Sequence, residues 1–254
     1  MAFLKSFIPV TLSVVCIGCE STDIQLAPPY TRPPVKIAEG KDLLANPLIM
    51  GSSLSVGLSP YTEGKIRPEL SAPLSLTLKY HPEFTLTDAS LVAYPGRDSI
   101  VQVNELTQSQ LLSHSMVFAL DLFAWDSVNA KYPNQCEAHL NSAKKFFGLI
   151  GQSEVVALVG NIPDIKNEAQ GFIPTQCRVQ LNNLIQGSCR QNVRCKFLDL
   201  ENLWADLKHT GSFTVKDAEG KDLTYPIDQF FLDGLHPSIL GTQWLSARLD
   251  ELLK

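Results

Sequence analysis

The chain of 254 residues is long enough for one large α/β domain or two small ones. Its 44% apolar and 19% charged content is that of an ordinary globular protein, and a net charge of -5 leaves no broad basic field for nucleic acid. No apolar run of membrane-spanning length follows the first 20 residues, so the mature chain is not expected to cross a bilayer as a helix.

The chain opens MAFLKSFIPVTLSVVCIGCES: Lys5, an apolar run from Phe7 to Ile17, then Gly18-Cys19. A charged start, an apolar centre and a small residue before the cut are the marks of an export signal. Cys19 directly after Gly18 makes the segment resemble a bacterial lipoprotein signal, with the departure that Cys16 stands where Leu is usual. The resemblance implies a signal peptide over residues 1–18, acylation of Cys19, and a lipid anchor holding the protein to a membrane on a periplasmic or cell-surface face. A plain secretory peptide or a short anchor helix is the simpler alternative. Residues 19–45 carry four prolines in APPYTRPP and few large apolar side chains, which reads as an extended tether. The folded domain is expected over residues 46–254.

Six cysteines suit an exported protein. Beyond Cys16 and Cys19 there remain Cys136, Cys177, Cys189 and Cys195, enough for two disulfides in any of three pairings. Zinc is the rival, but these four show no CxxC spacing and the histidines no HxxxH spacing, so no metal is expected.

Along the domain, short apolar runs alternate with helical patterns. PLIMG (47–51) is strand-like, and APLSLTLKY (72–80) is a helix with Pro73 in its first turn. ASLVAYPG (89–96) reads as a second strand, QVNELTQSQLLSH (102–114) as a weak helix, and SMVFALDLFAW (115–125) as a long third strand. NQCEAHLNSAKKFFGLI (134–150) places Ala138, Leu140, Ala143, Phe146, Phe147 and Ile150 at helical spacing. EVVALVGN (154–161) is a fourth strand. TQCRVQLNNLIQG (175–187) is a helix stopped by Gly187, CKFLDL (195–200) a fifth strand, and ENLWADLKHTG (201–211) a helix stopped by Gly211. Residues 212–225 resemble a hairpin, and PSILGTQWLSARLDELLK (237–254) is a closing amphipathic helix. About five buried strands alternating with helices imply a parallel sheet covered on both faces, with sites at the carboxyl ends of the strands.

Those ends carry chemistry-bearing residues. The first strand runs into Gly51-Ser52-Ser53, a turn able to present a serine hydroxyl at the sheet edge. A serine needs a base beside it, and the base needs an orienting group. Asp233 and His236, three apart before the last helix, supply a carboxylate for one ring nitrogen and leave the other to face the serine. Gly96 ends the second strand and Asn161 the fourth.

In this order, GSSLSVG, Gly96 and DGLHPS resemble the blocks of the SGNH, or GDSL-type, hydrolases over residues 46–254. The resemblance implies a flavodoxin-like three-layer α/β/α sandwich and hydrolysis of carboxylic esters or O-acetyl groups, including those of envelope glycans, with no cofactor. It makes Ser53 the nucleophile, His236 the base and Asp233 its orienter, with Gly96 and Ser53 N–H groups as oxyanion donors. Two departures stand out: Ser52 replaces the usual Asp, and Phe123 and Trp125 fall where the third block has Gly and Asn. Losing that Asn removes a donor whose absence costs about 10²–10³ in rate. Asn161 is the candidate replacement, with Trp125 a pocket wall or a second candidate donor. The departures motivate an alternative, a degenerate SGNH domain that binds a glycan or acyl ligand without turnover, and beyond it a purely structural lipoprotein module. The implied fold puts Cys136 and Cys177 at one sheet edge and Cys189 and Cys195 at the other, which selects the pairs Cys136–Cys177 and Cys189–Cys195.

Overall fold

A computed structural model describes residues 40–57, 67, 70–94, 97–124, 135–164, 174–231 and 236–254. After a 3₁₀ turn at Gly40–Leu44, the order is β1 (Pro47–Met50), α1 (Ala72–Tyr80), α2 (Ser99–Glu105), α3 (Gln108–Leu112) and β2 (Met116–Ala119). There follow α4 (Gln135–Gln152), β3 (Val156–Gly160), α5 (Thr175–Gln191), β4 (Cys195–Leu198), α6 (Leu200–Thr210), β5 (Ser212–Lys216), β6 (Asp222–Pro226) and α7 (Ile239–Leu253).

β1 to β4 form one sheet in sequence order, and every neighbouring pair is parallel. β1, β2 and β3 are buried along their whole length, as strands covered on both faces must be. Successive side chains point to opposite faces and sort into two cores. Ile49, Phe118 and Leu158 face Leu76, Trp244, Leu245 and Leu249. Leu48, Met50, Val117 and Ala157 face Val103, Phe146, Leu181 and Ile185. The architecture is therefore the expected α/β/α sandwich, with α1 and α7 on one face and α4 and α5 on the other.

Among the described residues the sheet has four strands rather than about five. Among its described residues, the segment expected as a second strand, 89–96, makes one parallel bridge, Leu91 to Ile49. The Val92 and Ala93 N–H groups both converge on the Ile49 carbonyl, at 2.9 and 3.0 Å, so the ladder does not propagate. The weak helix at 102–114 is two short helices, α2 and α3, the second started by a Thr107–Gln110 capping box. The third strand stops at Ala119 instead of reaching residue 125, because Asp121 is drawn into a turn described below. Gly187 does not end α5, which continues to Gln191. Gly211 does end α6, in the left-handed conformation (φ 67°), its N–H bonded to the Leu207 carbonyl. β5 and β6 are the antiparallel hairpin, and Ser238 caps α7 by accepting the Gly241 N–H at 3.0 Å. Among the described residues no helix is long and apolar enough to cross a membrane.

Disulfides join Cys136 to Cys177, linking the first turns of α4 and α5, and Cys189 to Cys195, linking the end of α5 to β4. Their Cα separations are 5.4 and 4.9 Å, within the span of such bonds. The first closes a sequence separation of 41 and the second one of 6. A non-reducing peptide map is expected to return these two linkages. In urea unfolding, chain-entropy arithmetic makes the Cys136→Ser/Cys177→Ser double variant lose about 4 kcal/mol and Cys189→Ser/Cys195→Ser about 2 kcal/mol. Equal losses would show that loop entropy does not govern either bond.

Candidate active site

Four strand ends meet at one edge of the sheet, carrying Gly51, Asp121, Asn161 and Asp199. The turn after β1 is built around a buried carboxylate. Asp121 accepts the Ser52 N–H at 2.9 Å, the Leu54 N–H at 2.8 Å and the Ser55 hydroxyl at 2.5 Å. The two residues flanking Ser53 are thus tied to one side chain from the end of β2. Burial pushes the Asp121 carboxyl above its ordinary range, against the opposing pull of the Ser55 hydroxyl and the Ser52 and Leu54 N–H groups.

Gly51 is what lets the carboxylate in. Its φ of 133° suits only glycine, and a Cβ there would fall on the Asp121 carboxylate and the Ser55 hydroxyl. A second clamp holds Gly51 from the other side. Gln102 of α2, fully buried, accepts the Gly51 N–H at 2.9 Å through Oε1 and donates Nε2 to the Gly51 carbonyl at 3.0 Å. The amide side chain pairs both backbone groups, as a neighbouring strand would.

The end of β3 repeats the device. Asn182 of α5 accepts the Ile162 N–H and donates to the Ile162 carbonyl, both at 2.9 Å. Asn182 also donates to Glu201 at 2.9 Å, and Glu201 pairs with the buried Arg178. Asn161 joins the same network. Its Oδ1 accepts the Glu201 N–H at 2.9 Å and its Nδ2 donates to Asp199 at 2.8 Å. Asp199 in turn caps α6. Since Nδ2 carries two hydrogens, one is committed to Asp199.

The histidine arrives from the far end of the chain. Phe231 and Pro237 form an antiparallel bridge, the Ser238 N–H donates to the Phe230 carbonyl at 2.7 Å, and the Ser238 hydroxyl donates to the Gln229 carbonyl at 2.6 Å. These bonds fix both ends of the segment that carries His236. Ser53, Asp121, Asn161 and His236 all line one cavity of about 90 Å³. Ser53 is only 4% exposed and lines this cavity. The rest of its described wall is apolar, with Leu200, Leu203 and Trp204 from α6, Phe230 and Phe231 after the hairpin, and Trp244 from α7.

Of the residues singled out in the sequence, Ser53, His236 and Asn161 come together here. Asp233, Gly96, Trp125 and Cys19 lie outside the described residues. Sequence reasoning passed over Asp121 and Gln102. The signal was an acid directly after five apolar residues, MVFAL, and an amide on a helix beside Val103, both of them polar side chains in a core setting.

No protein-family model and no curated protein matches the chain by sequence. Solved structures do match by fold. A candidate GDSL-like lipase from Parabacteroides merdae superposes with a TM-score of 0.57 at 12% identity, over 86% of this chain and 98% of that one. A lipase/acylhydrolase from Enterococcus faecalis gives 0.54 at 15% identity, over 81% and 93%. A carbohydrate acetylesterase family member from Sinorhizobium meliloti gives 0.52 at 14% identity, over 81% and 95%. The chain therefore carries the fold of the SGNH/GDSL-type hydrolases.

The Asp121 clamp makes a specific prediction. Asn at this position can accept one backbone N–H, but its own NH₂ then opposes the other. Asp121→Asn is expected to lose about 1–3 kcal/mol in urea unfolding. The pH dependence has a definite sign. A carboxyl whose folded pKa is raised contributes stability that is full below its ordinary value of 3.8 and is lost as pH rises through the elevated folded value. The margin of wild type over Asp121→Asn should therefore narrow as pH rises from that ordinary value, and a margin that widens instead would contradict the account.

Proposed function

We propose that this protein is a serine ester hydrolase in which Ser53 attacks the carbonyl carbon of an ester. The observation that carries this reading is the convergence of Ser53 and His236, from opposite ends of the sequence, on one cavity at the carboxyl edge of a GDSL-type fold. His236 takes the Ser53 hydroxyl proton as the new C–O bond forms, and returns it to the departing alcohol as the tetrahedral intermediate collapses. The acyl group is then on Ser53. Water then bonds to the acyl carbon as His236 takes its proton, and the bond from the acyl carbon to Ser53 Oγ breaks as His236 gives that proton to Oγ, releasing the acid and restoring Ser53. Asp233 holds the imidazole in the tautomer this needs.

The oxyanion donors are the Ser53 and Gly96 N–H groups and the second Nδ2 hydrogen of Asn161. The first Nδ2 hydrogen, given to Asp199, keeps the amide from rotating. A donor held before the reaction starts stabilises the developing charge without reorganisation. Asp121 acts on the turn rather than on the substrate, as the anchor of the residues on either side of Ser53.

The disulfides and the amino-terminal segment support export, with Cys19 as the lipidated residue and the proline-rich segment after it, up to the 3₁₀ turn at Gly40–Leu44, as a tether. An ester substrate is the reading that the fold neighbours support, among them a lipase/acylhydrolase from Enterococcus faecalis.

Two experiments test the reading. A fluorophosphonate probe should form an adduct on Ser53, located by mass spectrometry, and p-nitrophenyl acetate should be hydrolysed. Ser53→Ala should remove both, and His236→Ala should slow both by about 10³ or more. A folded, oxidised chain that neither labels nor turns over would favour a ligand-binding domain of this fold. For the anchor, incorporation of radiolabelled palmitate by the expressing bacterium should be lost in Cys19→Ser.

A further inference from the structure

The cavity beside Ser53 says more about the substrate than the nucleophile does. Apart from Ser53, Asp121, Asn161 and His236, every described residue lining it is a Leu, Ala, Pro, Phe or Trp. Of the two tryptophans, Trp204 has its indole N–H committed to the Asp164 carbonyl at 3.0 Å. A sugar ring enclosed here would leave most of its hydroxyls without partners, at a cost that rises with each one buried. An alkyl chain would lose nothing and would gain by burial.

The wall is also held in place. Phe230 stands edge-on to Phe213 at 5.0 Å and to Trp244 at 5.4 Å, and Phe231 stands edge-on to Trp204 at 4.4 Å. The hairpin, α6 and α7 thus share one aromatic cluster, which preserves the cavity shape. Its size sets a scale for what it encloses, the cavity being open on one side. An apolar cavity of about 150 Å³ holds a benzene ring, six carbons in all. The 90 Å³ here leaves room for about three or four carbons beyond the carbonyl.

We infer that this cavity is an acyl-chain site, and that the substrate is an ester of a linear acid of about four or five carbons rather than an acetylated glycan. The alcohol portion lies outside the cavity. This inference rests on the assignment of Ser53 as the nucleophile, and it narrows the acyl group that Ser53 receives.

The test is a chain-length series run two ways on the full chain. In the first, kcat/KM is measured for p-nitrophenyl esters from acetate to octanoate. It should rise about fourfold for each added methylene up to butanoate or pentanoate, then level or fall. Leu203→Trp, which fills the cavity from α6, should reduce the butanoate-to-acetate ratio from about sixteenfold to near one. In the second, n-alkanols from ethanol to octanol are titrated against tryptophan fluorescence, since Trp204 and Trp244 line the cavity. Affinity should rise over the same chain lengths, whether or not Leu203→Trp folds. Turnover that is equal across the series or greatest on acetate, with alkanol affinity flat, overturns the acyl-chain site and leaves the hydrolase intact. Absent turnover and labelling with chain-dependent alkanol binding supports the alkyl site and removes the hydrolase instead.

Discussion

The Asp121 carboxylate is the constraint on which the site depends. It replaces, for the turn after β1, the hydrogen bonds that the sheet stops giving at Met50. By taking the N–H groups of Ser52 and Leu54, it fixes the backbone on both sides of Ser53. A buried carboxylate is costly unless it is fully bonded, so the arrangement works in both directions. The turn satisfies the acid, and the acid defines the turn. Gly51 is the accommodation that makes their closeness possible, since any side chain there would occupy the space of the carboxylate. The residue before Ser53 is Ser52, and the acid that holds this turn comes from just after β2.

Around that carboxylate, the carboxyl edge of the sheet is finished by side-chain amides. Gln102 pairs with both backbone groups of Gly51, and Asn182 with both of Ile162. Each stands in for a strand that is not there, which lets the chain leave the sheet without orphaned N–H or C=O groups. The Asn182 clamp extends through Glu201 to Arg178, and Asn161 extends it to Asp199 and the first turn of α6. The helix that walls the cavity is therefore tied to the strand end whose Asn161 lines the same cavity as Ser53. Gly160, just before Asn161, has room for no Cβ because the Leu120 carbonyl lies against it, so β2 and β3 close together at the same edge.

Much of this was legible in the sequence, because its signals were local. Continuous apolar runs gave β1, β3 and β4, and helical spacing gave α1, α4, α5, α6 and α7 to within a few residues. The left-handed stop at Gly211 was legible because the apolar spacing ends there. Gly187 misled because it sits inside a helix whose last turn is pinned to β4 by Cys189–Cys195. The segment 89–96 has strand composition, but its hydrogen bonds gather on one Ile49 carbonyl, a pairing geometry that composition does not encode. The third strand was read too long because Leu122, Phe123 and Ala124 continue the apolar run, while the bond that breaks the strand comes from a turn far away in sequence. Asp121 and Gln102 were missed for the same reason, since their partners are long-range. Ser53 and His236 were legible only through the order of short blocks, and their meeting in one cavity is a tertiary fact.

The central claim is that Ser53 and His236 form one reacting centre at the mouth of an apolar cavity. Its most direct test is a crystal structure of the chain after reaction with a butylphosphonate inhibitor. The account predicts phosphorus bonded to Ser53 Oγ, the His236 ring within hydrogen-bond distance of that oxygen, and the butyl group between α6 and α7 against Trp204 and Trp244. Phosphorus on any other residue, or a His236 ring turned away from Ser53 in the adduct, would contradict it.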